Sequence, residues 1–318
     1  MTATFHQLGS DICVIERGWL NCNQVVLRSA TENVLIDSGY GRHAAATLRY
    51  VDSTLPADRK CLDRLINTHC HSDHMGGNAA LKAHYGCRIT IPVDEVKHVK
   101  PWTEQSCWSE MTDQYAEPFD FDDTISPGDT FEAGGLTWQA YAAPGHDMDA
   151  LMFHSASSGM LITGDALWHH KHGGMGFVWP NVDDKTGRNA FIGAALQTLD
   201  QIEALNPQLI IPGHGAPFAE VQMSIIGLRS RLNAFAEHPE KNARHVVKVM
   251  LVFALLDKGQ MRLSELPDYL ARVPIHREMN AQFLKMPFDD LANRVVNELV
   301  IAGAIHVSDG VMRATMRA

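Results

Sequence analysis

The chain has 318 residues, of which 45% are hydrophobic and 20% are charged. This length favours one large domain, or one domain with a smaller partner, and this composition excludes a disordered, collagen-like or coiled-coil protein. The formal net charge of −10 argues mildly against a nucleic-acid substrate. No apolar run approaches the roughly 18 residues that a membrane span needs, and the N-terminus has no secretory signal pattern. We therefore expect a cytoplasmic protein without membrane contacts, whose six cysteines are reduced thiols.

Strand and helix patterns alternate over the first two thirds of the chain. Short runs rich in Val and Ile predict strands, and longer runs with apolar residues at helical spacing predict helices. The predicted strands are 12–16, 24–29, 34–37, 62–67, 88–91, 136–143, 150–154, 160–163 and 209–211. The predicted helices are 43–51, 76–85 and 190–205. The segment 100–128, rich in aromatic residues, Pro and Asp, shows no clear period, and we interpret it as a surface insertion packed on the core.

After residue 217 the pattern changes to helices followed by a hairpin. Helices are predicted at 221–235, 246–256, 263–271 and 291–302, and strands at 304–307 and 311–314 around the turn Ser308-Asp309-Gly310. This order is typical of a winged-helix module. We therefore expect a large first domain over residues 1–220, a linking helix over 221–240 and a winged-helix-like domain over 241–318.

The charge of residues 241–318 is too small for a typical nucleic-acid reader. This part carries 11 Lys or Arg against 8 Asp or Glu, and the only base on its candidate recognition helix, 291–302, is Arg294. We expect it to pack on the first domain, to wall a site there or to form a homodimer, with nucleic-acid binding as the less favoured alternative.

The strongest chemical signal is the segment 68–77, Thr-His-Cys-His-Ser-Asp-His-Met-Gly-Gly. It follows a predicted buried strand, and His69 and His71 are two residues apart, so an extended backbone points both to one side. Asp73 and His74 lie where the chain turns into a helix, so they can serve two different points in space. A cluster of this density usually binds metal, and the alternative is a polar turn with chance histidines.

Three later segments each add one group of the same kind. His146, Asp165 and His214 each follow a predicted strand, and each stands directly after a glycine. Loops at strand ends gather into one site in a layered fold of helices and sheets. With the first segment they provide five imidazoles and two carboxylates, enough for two metal ions.

These motifs resemble those of the metallo-β-lactamase superfamily, whose His-x-His-x-Asp-His pattern is followed by single His, Asp and His positions. The resemblance spans about residues 10–218 and includes the early segment Leu35-Ile36-Asp37-Ser38-Gly39. It implies an α+β fold, the four-layer αββα sandwich, with the site along one edge of two sheets and a catalytic domain over residues 1–220. It implies two divalent metal ions, zinc first and iron or manganese as alternatives. The implied ligands are His69, His71 and His146 for one ion, Asp73, His74 and His214 for the other, and Asp165 bridging both.

This ligand set predicts a hydrolase. Imidazoles with few carboxylates leave positive charge on Zn²⁺, and a water bound to such an ion can lose a proton near neutral pH. We expect a hydroxide shared by the two metals to attack an ester-type bond, with Asp73 as the catalytic residue that orients it and moves a proton. Asp37 would fix the orientation of a ligand imidazole, and a structural turn is an equal interpretation of it.

The expected substrate is a small molecule with a thioester, lactone or carboxylic ester bond. The alternatives are phosphodiester hydrolysis of RNA or a nucleotide, an iron-dependent reaction like that of persulfide dioxygenases, and a partner-binding protein with a vestigial metal site. The loop after Asp165 either closes over an apolar substrate or packs on the segment 100–128. The candidate substrate contacts are Trp168, His169, His170, Phe177 and Trp179 from this loop, with Trp19 as a weaker candidate.

Overall fold

A computed structural model describes residues 3–172, 174–181 and 189–315 of the chain. Its strands are β1 (Thr4–Leu8), β2 (Ile12–Glu16), β3 (Gln24–Arg28), β4 (Asn33–Ile36), β5 (Arg64–Ile66), β6 (Arg88–Pro92), β7 (Asp123–Ile125), β8 (Thr130–Ala133), β9 (Leu136–Ala142), β10 (Leu151–Ser155), β11 (Met160–Gly164), β12 (Leu209–Pro212), β13 (Met261–Arg262), β14 (Ile305–Ser308) and β15 (Val311–Ala314). Its α-helices are α1 (Ala44–Thr54), α2 (Ser72–Met75), α3 (Asn78–Tyr85), α4 (Val96–Val99), α5 (Ser109–Thr112), α6 (Ala190–Leu205), α7 (Val221–Glu237), α8 (Pro239–Lys258), α9 (Leu266–Arg272), α10 (Pro274–Met279) and α11 (Phe288–Ile301).

The first sheet contains β1 to β7 in chain order. Strands β1 to β4 pair antiparallel, and β4 to β7 pair parallel. Strands β4 and β5 are buried almost throughout, because a parallel strand is covered on both faces and therefore reads as a continuous apolar run. The carboxyl ends of these two strands lie at one edge of the sheet, and the segment 67–77 begins there.

The second sheet has the order β12-β11-β10-β9-β8, and only its β11–β12 pair is parallel. Side chains of both sheets share one buried cluster, which includes Val14 and Leu27 from the first and Trp138 and Phe153 from the second. Two further clusters join the outer face of the first sheet to α1 and α3, and that of the second to α6 and α7. The result is a sequence of helix, sheet, sheet and helix layers.

The C-terminal part, from α8 onwards, forms a core of its own. Helices α8 to α11 and the three-stranded sheet β13-β15-β14 bury apolar side chains such as Val247, Leu270 and Val295 in one cluster. Met111 of the segment 100–128 and Phe177 and Trp179 of the loop after Asp165 pack against this cluster. The C-terminal part therefore contacts the layered part through the two segments that the sequence described least well.

Most predicted elements are confirmed, with shifted ends. The helix predicted at 76–85 begins at Asn78 as α3, and a separate short helix, α2, ends at Met75. The two helices do not join because Gly76 and Gly77 pass against the backbone of residues 38–41: a Cβ on Gly76 would lie 2.4 Å from Gly41 N. The helix predicted to begin at residue 246 begins at Pro239, since proline fits the first turn of a helix. The segment 100–128 contains α5 and β7, which its sequence did not predict. Within the described ranges no helix is long and apolar enough to cross a membrane.

Candidate metal centre

The seven candidate ligands come together at the edge where β5, β11 and β12 end. His69, His71, Asp73 and His74 follow β5, Asp165 follows β11 directly, and His214 follows β12 by one residue. His146 lies in the turn between β9 and β10. All but His71 are less than a tenth exposed. Sheet topology therefore converts four distant segments into one buried cluster.

Three imidazoles form the first group. One ring nitrogen each from His69, His71 and His146 lies within 4.8 Å of the others. His71 Nδ1 and His146 Nε2 are 2.9 Å apart. His146 Nδ1 donates to the carbonyl oxygen of Phe177 at 2.6 Å, so the loop after Asp165 directs the other nitrogen of this ring into the group.

The second group contains Asp73, His74 and His214, again with ligand atoms within 4.8 Å of one another. His214 Nε2 lies 3.1 Å from Asp73 Oδ2. The ring of His214 stacks on that of Trp19 at 5.5 Å and lies 4.7 Å from that of Trp168. These aromatic rings fix the orientation of a side chain that would otherwise be free to rotate.

Asp165 lies between the two groups. Its Oδ1 is 3.1 Å from His74 Nε2, and its Oδ2 is 3.4 Å from His146 Nε2. The indole N–H of Trp168 donates to Oδ1 at 3.2 Å. The close approach of the β12 loop leaves no room for a side chain here, because a Cβ on Gly213 would lie 2.4 Å from the same oxygen.

Asp37 both forms a turn and contacts a ligand imidazole, the two interpretations that the sequence left open. Its backbone adopts φ 60°, a turn conformation at the end of β4. Its Oδ2 accepts a hydrogen bond from His74 Nδ1 at 2.9 Å, and its two oxygens also accept from the backbone N–H and the hydroxyl of Thr68. The turn therefore delivers a carboxylate that directs His74 Nε2 towards the second group.

The charges in the cluster suit a cation. Burial alone would raise the pKa of Asp165, but the neighbouring His74 and His214 outweigh it and hold that pKa well below its usual value. Burial lowers the pKa of His69 well below that of a free histidine, so this ring stays neutral. In the described part of the chain the buried nitrogens His69 Nε2 and His74 Nε2 have no hydrogen-bond partner. Ionised carboxylates beside unpartnered imidazole nitrogens are the donor set that Zn²⁺ and similar ions prefer, so the residues fit a bound metal.

Two buried acids beside the cluster were missed at the sequence level. Asp147 Oδ2 lies 3.2 Å from His71 Nε2, the ring nitrogen opposite the one that faces His146. Glu95 accepts a hydrogen bond from the backbone N–H of Cys70 at 2.7 Å. The adjacency of Asp147 to His146 was the available signal for the first acid, whereas nothing in the sequence near Glu95 indicated the second.

A cavity opens beside the cluster, and three of the candidate substrate contacts line it. These are Trp168, Phe177 and Trp179, together with Trp108 from the segment 100–128 and residues of α8. The loop packs on the segment 100–128, because the rings of Trp179 and Trp108 lie 5.7 Å apart, and Phe177 and Trp179 also pack on the C-terminal core. Closure of the loop over an apolar substrate stays a prediction.

The cavity lining, as far as the described residues show, does not include the other three candidates for substrate contact, which are Trp19, His169 and His170. The ring of His169 packs on Phe218, and the backbone N–H of His170 donates to Ser224 Oγ of α7. Trp19 packs on the rings of His214 and Trp168. The loop turns towards α7 at residues 169–170 and returns to the cavity only at residue 176. The spacing of the aromatic residues and histidines in the sequence did not reveal this turn.

The family of the chain follows from this arrangement and from a match over residues 17–214 to the model of the metallo-beta-lactamase superfamily. The chain belongs to that superfamily, and the resemblance of its motifs is confirmed.

Two curated relatives and two solved structures illustrate the similarity. The chain is 26% identical over 204 residues to the atrochrysone carboxyl ACP thioesterase of Aspergillus fumigatus, covering 64% of this chain and 53% of that protein. It is 31% identical over 107 residues to the hydroxyacylglutathione hydrolase of Rhodopseudomonas palustris, covering 34% of each. The aligned regions thus span between a third and about half of these relatives.

The fold extends over nearly the whole chain in solved structures. A beta-lactamase domain protein from Burkholderia ambifaria covers 98% of this chain and 95% of its own, with a TM-score of 0.59 and 18% identity. A metallo-beta-lactamase family protein from Thermus thermophilus covers 99% and 98%, with a TM-score of 0.54 and 19% identity. The C-terminal helices and sheet therefore belong to an architecture that recurs with the layered part.

Proposed function

We propose that the protein is a dinuclear metal-dependent hydrolase that cleaves the thioester of a small molecule, with lactones and carboxylic esters as related substrates. The observation that carries the proposal is the convergence of five imidazoles and two carboxylates on two adjacent centres, with buried imidazole nitrogens left without a partner in the described chain. Two relatives support the type of bond, since one is named a thioesterase and the other a hydroxyacylglutathione hydrolase.

The ligand assignment follows the two groups. His69, His71 and His146 would hold one ion, Asp73, His74 and His214 the other, and Asp165 would contact both. Two such ions, zinc being the first expectation, would supply Lewis acidity that lowers the pKa of water and polarises a carbonyl oxygen.

The acidic side chains provide the proton transfer and the rigidity. Asp73 is the proposed catalytic residue: His74 and His214 hold its pKa below the usual value against the effect of burial, so its carboxylate is ionised and can accept a proton at Oδ1 or Oδ2. Asp37 holds His74 in one orientation through the 2.9 Å hydrogen bond. In the reaction the acyl C–S bond breaks, a C–O bond to water forms, and the thiol leaves with a proton.

We also propose the division of the chain into a catalytic domain over 1–220, a linking helix over 221–240 and a winged-helix-like domain over 241–318, in a cytoplasmic protein. The order of α8, β13, α9, α10, α11, β14 and β15 supports the winged-helix interpretation. The linking helix corresponds to α7. Its buried face, formed by residues such as Ile225 and Leu228, packs in the cluster of the second sheet, so this helix packs on the proposed first domain.

The test is metal content together with turnover. The full chain, loaded with Zn²⁺, Mn²⁺ or Fe²⁺ and freed of excess ion, is expected to retain two equivalents and to hydrolyse N-acetylcysteamine thioesters in a thiol-release assay. Retention of less than one equivalent would instead favour a partner-binding protein with a vestigial site. Two equivalents with turnover of phosphodiesters alone would replace the thioester assignment.

A further inference from the structure

The cavity beside the candidate metal centre is apolar on the side away from the ligands. It is partly open to solvent. Its apolar wall comes from three segments that are far apart in the sequence: Cys107 and Trp108, then Phe177 and Trp179, and finally Val249, Met250 and Phe253 of α8.

Two of the α8 residues have no evident structural purpose other than this wall. Val249 and Phe253 are four residues apart, so they lie on the same face of the helix. Both are only partly buried and line the cavity, and neither packs on the C-terminal core cluster, whereas Met250 belongs to that cluster and Val252 packs against it. A helix face that does not pack on a core is normally polar. Apolar side chains on such a face, opposite a polar cluster, indicate an apolar ligand.

Aromatic rings form a continuous surface from the ligands to the far wall. The ring of Phe177 lies 5.3 Å from that of His146 and 5.8 Å from that of Trp179, and Trp179 lies 5.7 Å from Trp108. Ring pairs at these distances pack edge to face or tilted, and a planar group inserted beside them makes the same contacts.

The backbone at Cys107 and Trp108 is held in a costly conformation. Their φ values are 52° and 61°, in the left-handed region that side chains other than glycine seldom adopt. Such strained positions concentrate at ligand sites. Both residues line the cavity, so the strained backbone lies in the cavity wall, where a ligand would make contact.

The charge of the lining decides what kind of acyl group fits. The carboxylates of Asp73 and Asp165 lie at one end, and the lining among the described residues contains no lysine or arginine. Bound metal ions would offset these carboxylates, but a charged end of an acyl group placed against the apolar wall would lose its hydration without a cation there to pair with it.

We propose that this cavity binds an uncharged aromatic acyl group, and that Val249 and Phe253 of α8 determine this specificity. The proposal names the substrate class of the hydrolase proposed above and therefore rests on that function. The C-terminal part thus contributes the acyl-binding wall of a site whose ligands all come from the layered part.

Direct binding tests the cavity independently of turnover. The probes are ketone analogues of N-acetylcysteamine thioesters, in which a methylene replaces the sulfur, carrying a benzoyl, an acetyl or a succinyl group. Calorimetry on the metal-loaded full chain is expected to show benzoyl binding at least about tenfold tighter than acetyl, with succinyl weakest. Phe253→Ala should abolish the benzoyl preference. Phe288→Ala is the matched control, since it removes the same side chain from the C-terminal core and not from the cavity.

A second variant protects the test against misfolding. Val249→Thr keeps the shape of the side chain and adds a hydroxyl to the wall, so it should weaken benzoyl binding severalfold while thermal unfolding stays unchanged. Equal binding of the benzoyl and acetyl ketones, or tighter binding of the succinyl ketone, would overturn the proposal.

The outcomes also separate this proposal from the proposed function. Selective benzoyl binding that depends on Phe253, without hydrolysis of any thioester, would sink the hydrolase assignment and leave the aromatic cavity intact. Hydrolysis of benzoyl and acetyl thioesters with equal kcat/KM, and no effect of Phe253→Ala on either, would sink the cavity and leave the hydrolase.

Discussion

The metal-ligand cluster and the cavity wall beside it lie within one site but are built in opposite ways. The cluster is polar, and four of its seven side chains come from the six residues 69–74. The wall is apolar and takes one or a few side chains from each of three segments, the last of them in the C-terminal part. Charged ligands must be held in fixed geometry, so they are placed on tight turns at strand ends. Apolar contact is not directional, so any segment that reaches the cavity can supply it.

Buried histidines have different surroundings in the metal-ligand cluster and in the C-terminal core. In the cluster, His74 Nδ1 and His214 Nε2 form hydrogen bonds with the carboxylates of Asp37 and Asp73. In the C-terminal core, His276 is fully buried, and neither of its ring nitrogens has a partner among the described residues. The cluster pairs its imidazoles with carboxylates, whereas the C-terminal core buries an imidazole among apolar side chains.

The largest effect is expected at the polar end of the site. Asp73→Ala should lower thioester turnover by about 10²- to 10⁴-fold, because it removes both a ligand and the proton acceptor. Far-UV circular dichroism should remain unchanged, since Asp73 is not part of a hydrophobic cluster. Asp11→Ala, at an exposed acid, is the control. Turnover near that of the wild type would remove Asp73 from the mechanism.

The next effect concerns a residue that acts only through a ligand. Asp147→Asn should weaken binding at the His69–His71–His146 group by about 10- to 100-fold, because the 3.2 Å contact that orients His71 is altered. Competition with a chromophoric chelator measures this affinity. Asp149→Asn is a matched control two residues away, whose carboxylate pairs with Lys97 and His98 instead. An unchanged affinity in Asp147→Asn would show that the contact is merely structural.

The buried histidines of the C-terminal part should make it sensitive to acid. Burial lowers the pKa of His276 from 6.5 to about 3, so between these pH values the unfolded chain binds a proton that the folded chain does not. The free energy of unfolding should therefore decrease as the pH is lowered through this window, by at most about 1.4 kcal/mol per pH unit for one group. His276→Leu should reduce the slope in urea unfolding curves, whereas His306→Leu, at an exposed residue, should not. Equal slopes in both variants would contradict the assignment.

The smallest effect should come from an ion pair that joins the C-terminal part to the layered part. Arg42 Nε lies 2.8 Å from Asp257 Oδ1 near the end of α8, and Arg42 is half exposed. Arg42→Ala should raise KM for an aromatic thioester roughly fivefold, equivalent to about 1 kcal/mol, with little change in metal content. Arg294→Ala removes an ion pair within the C-terminal part only and should leave KM unchanged. A rise in KM in both variants would show general destabilisation rather than a loosened wall.

The sequence was sufficient where short-range patterns dominate. The strand patterns at 12–16, 160–163 and 209–211 matched β2, β11 and β12 closely. The candidate ligands were recognisable because four of them cluster within residues 69–74 and the other three each follow a predicted strand. It was insufficient for α5 and β7, whose segments are short and lack a clear period. Their conformation depends on contacts with distant parts of the chain, and a local pattern does not encode such contacts.

The sequence by itself determined the superfamily, the seven candidate ligands and the order of the main elements. Each of these depends on short motifs or on the local spacing of apolar residues, and both can be recognised in a few adjacent residues. Only the tertiary structure decided that Asp147 contacts His71, that His169 and His170 turn away from the cavity, and that Val249 and Phe253 of α8 face it. These relations join residues that are far apart in the chain. They arise from how the sheets and helices pack, and packing is a property of the whole chain rather than of any one segment.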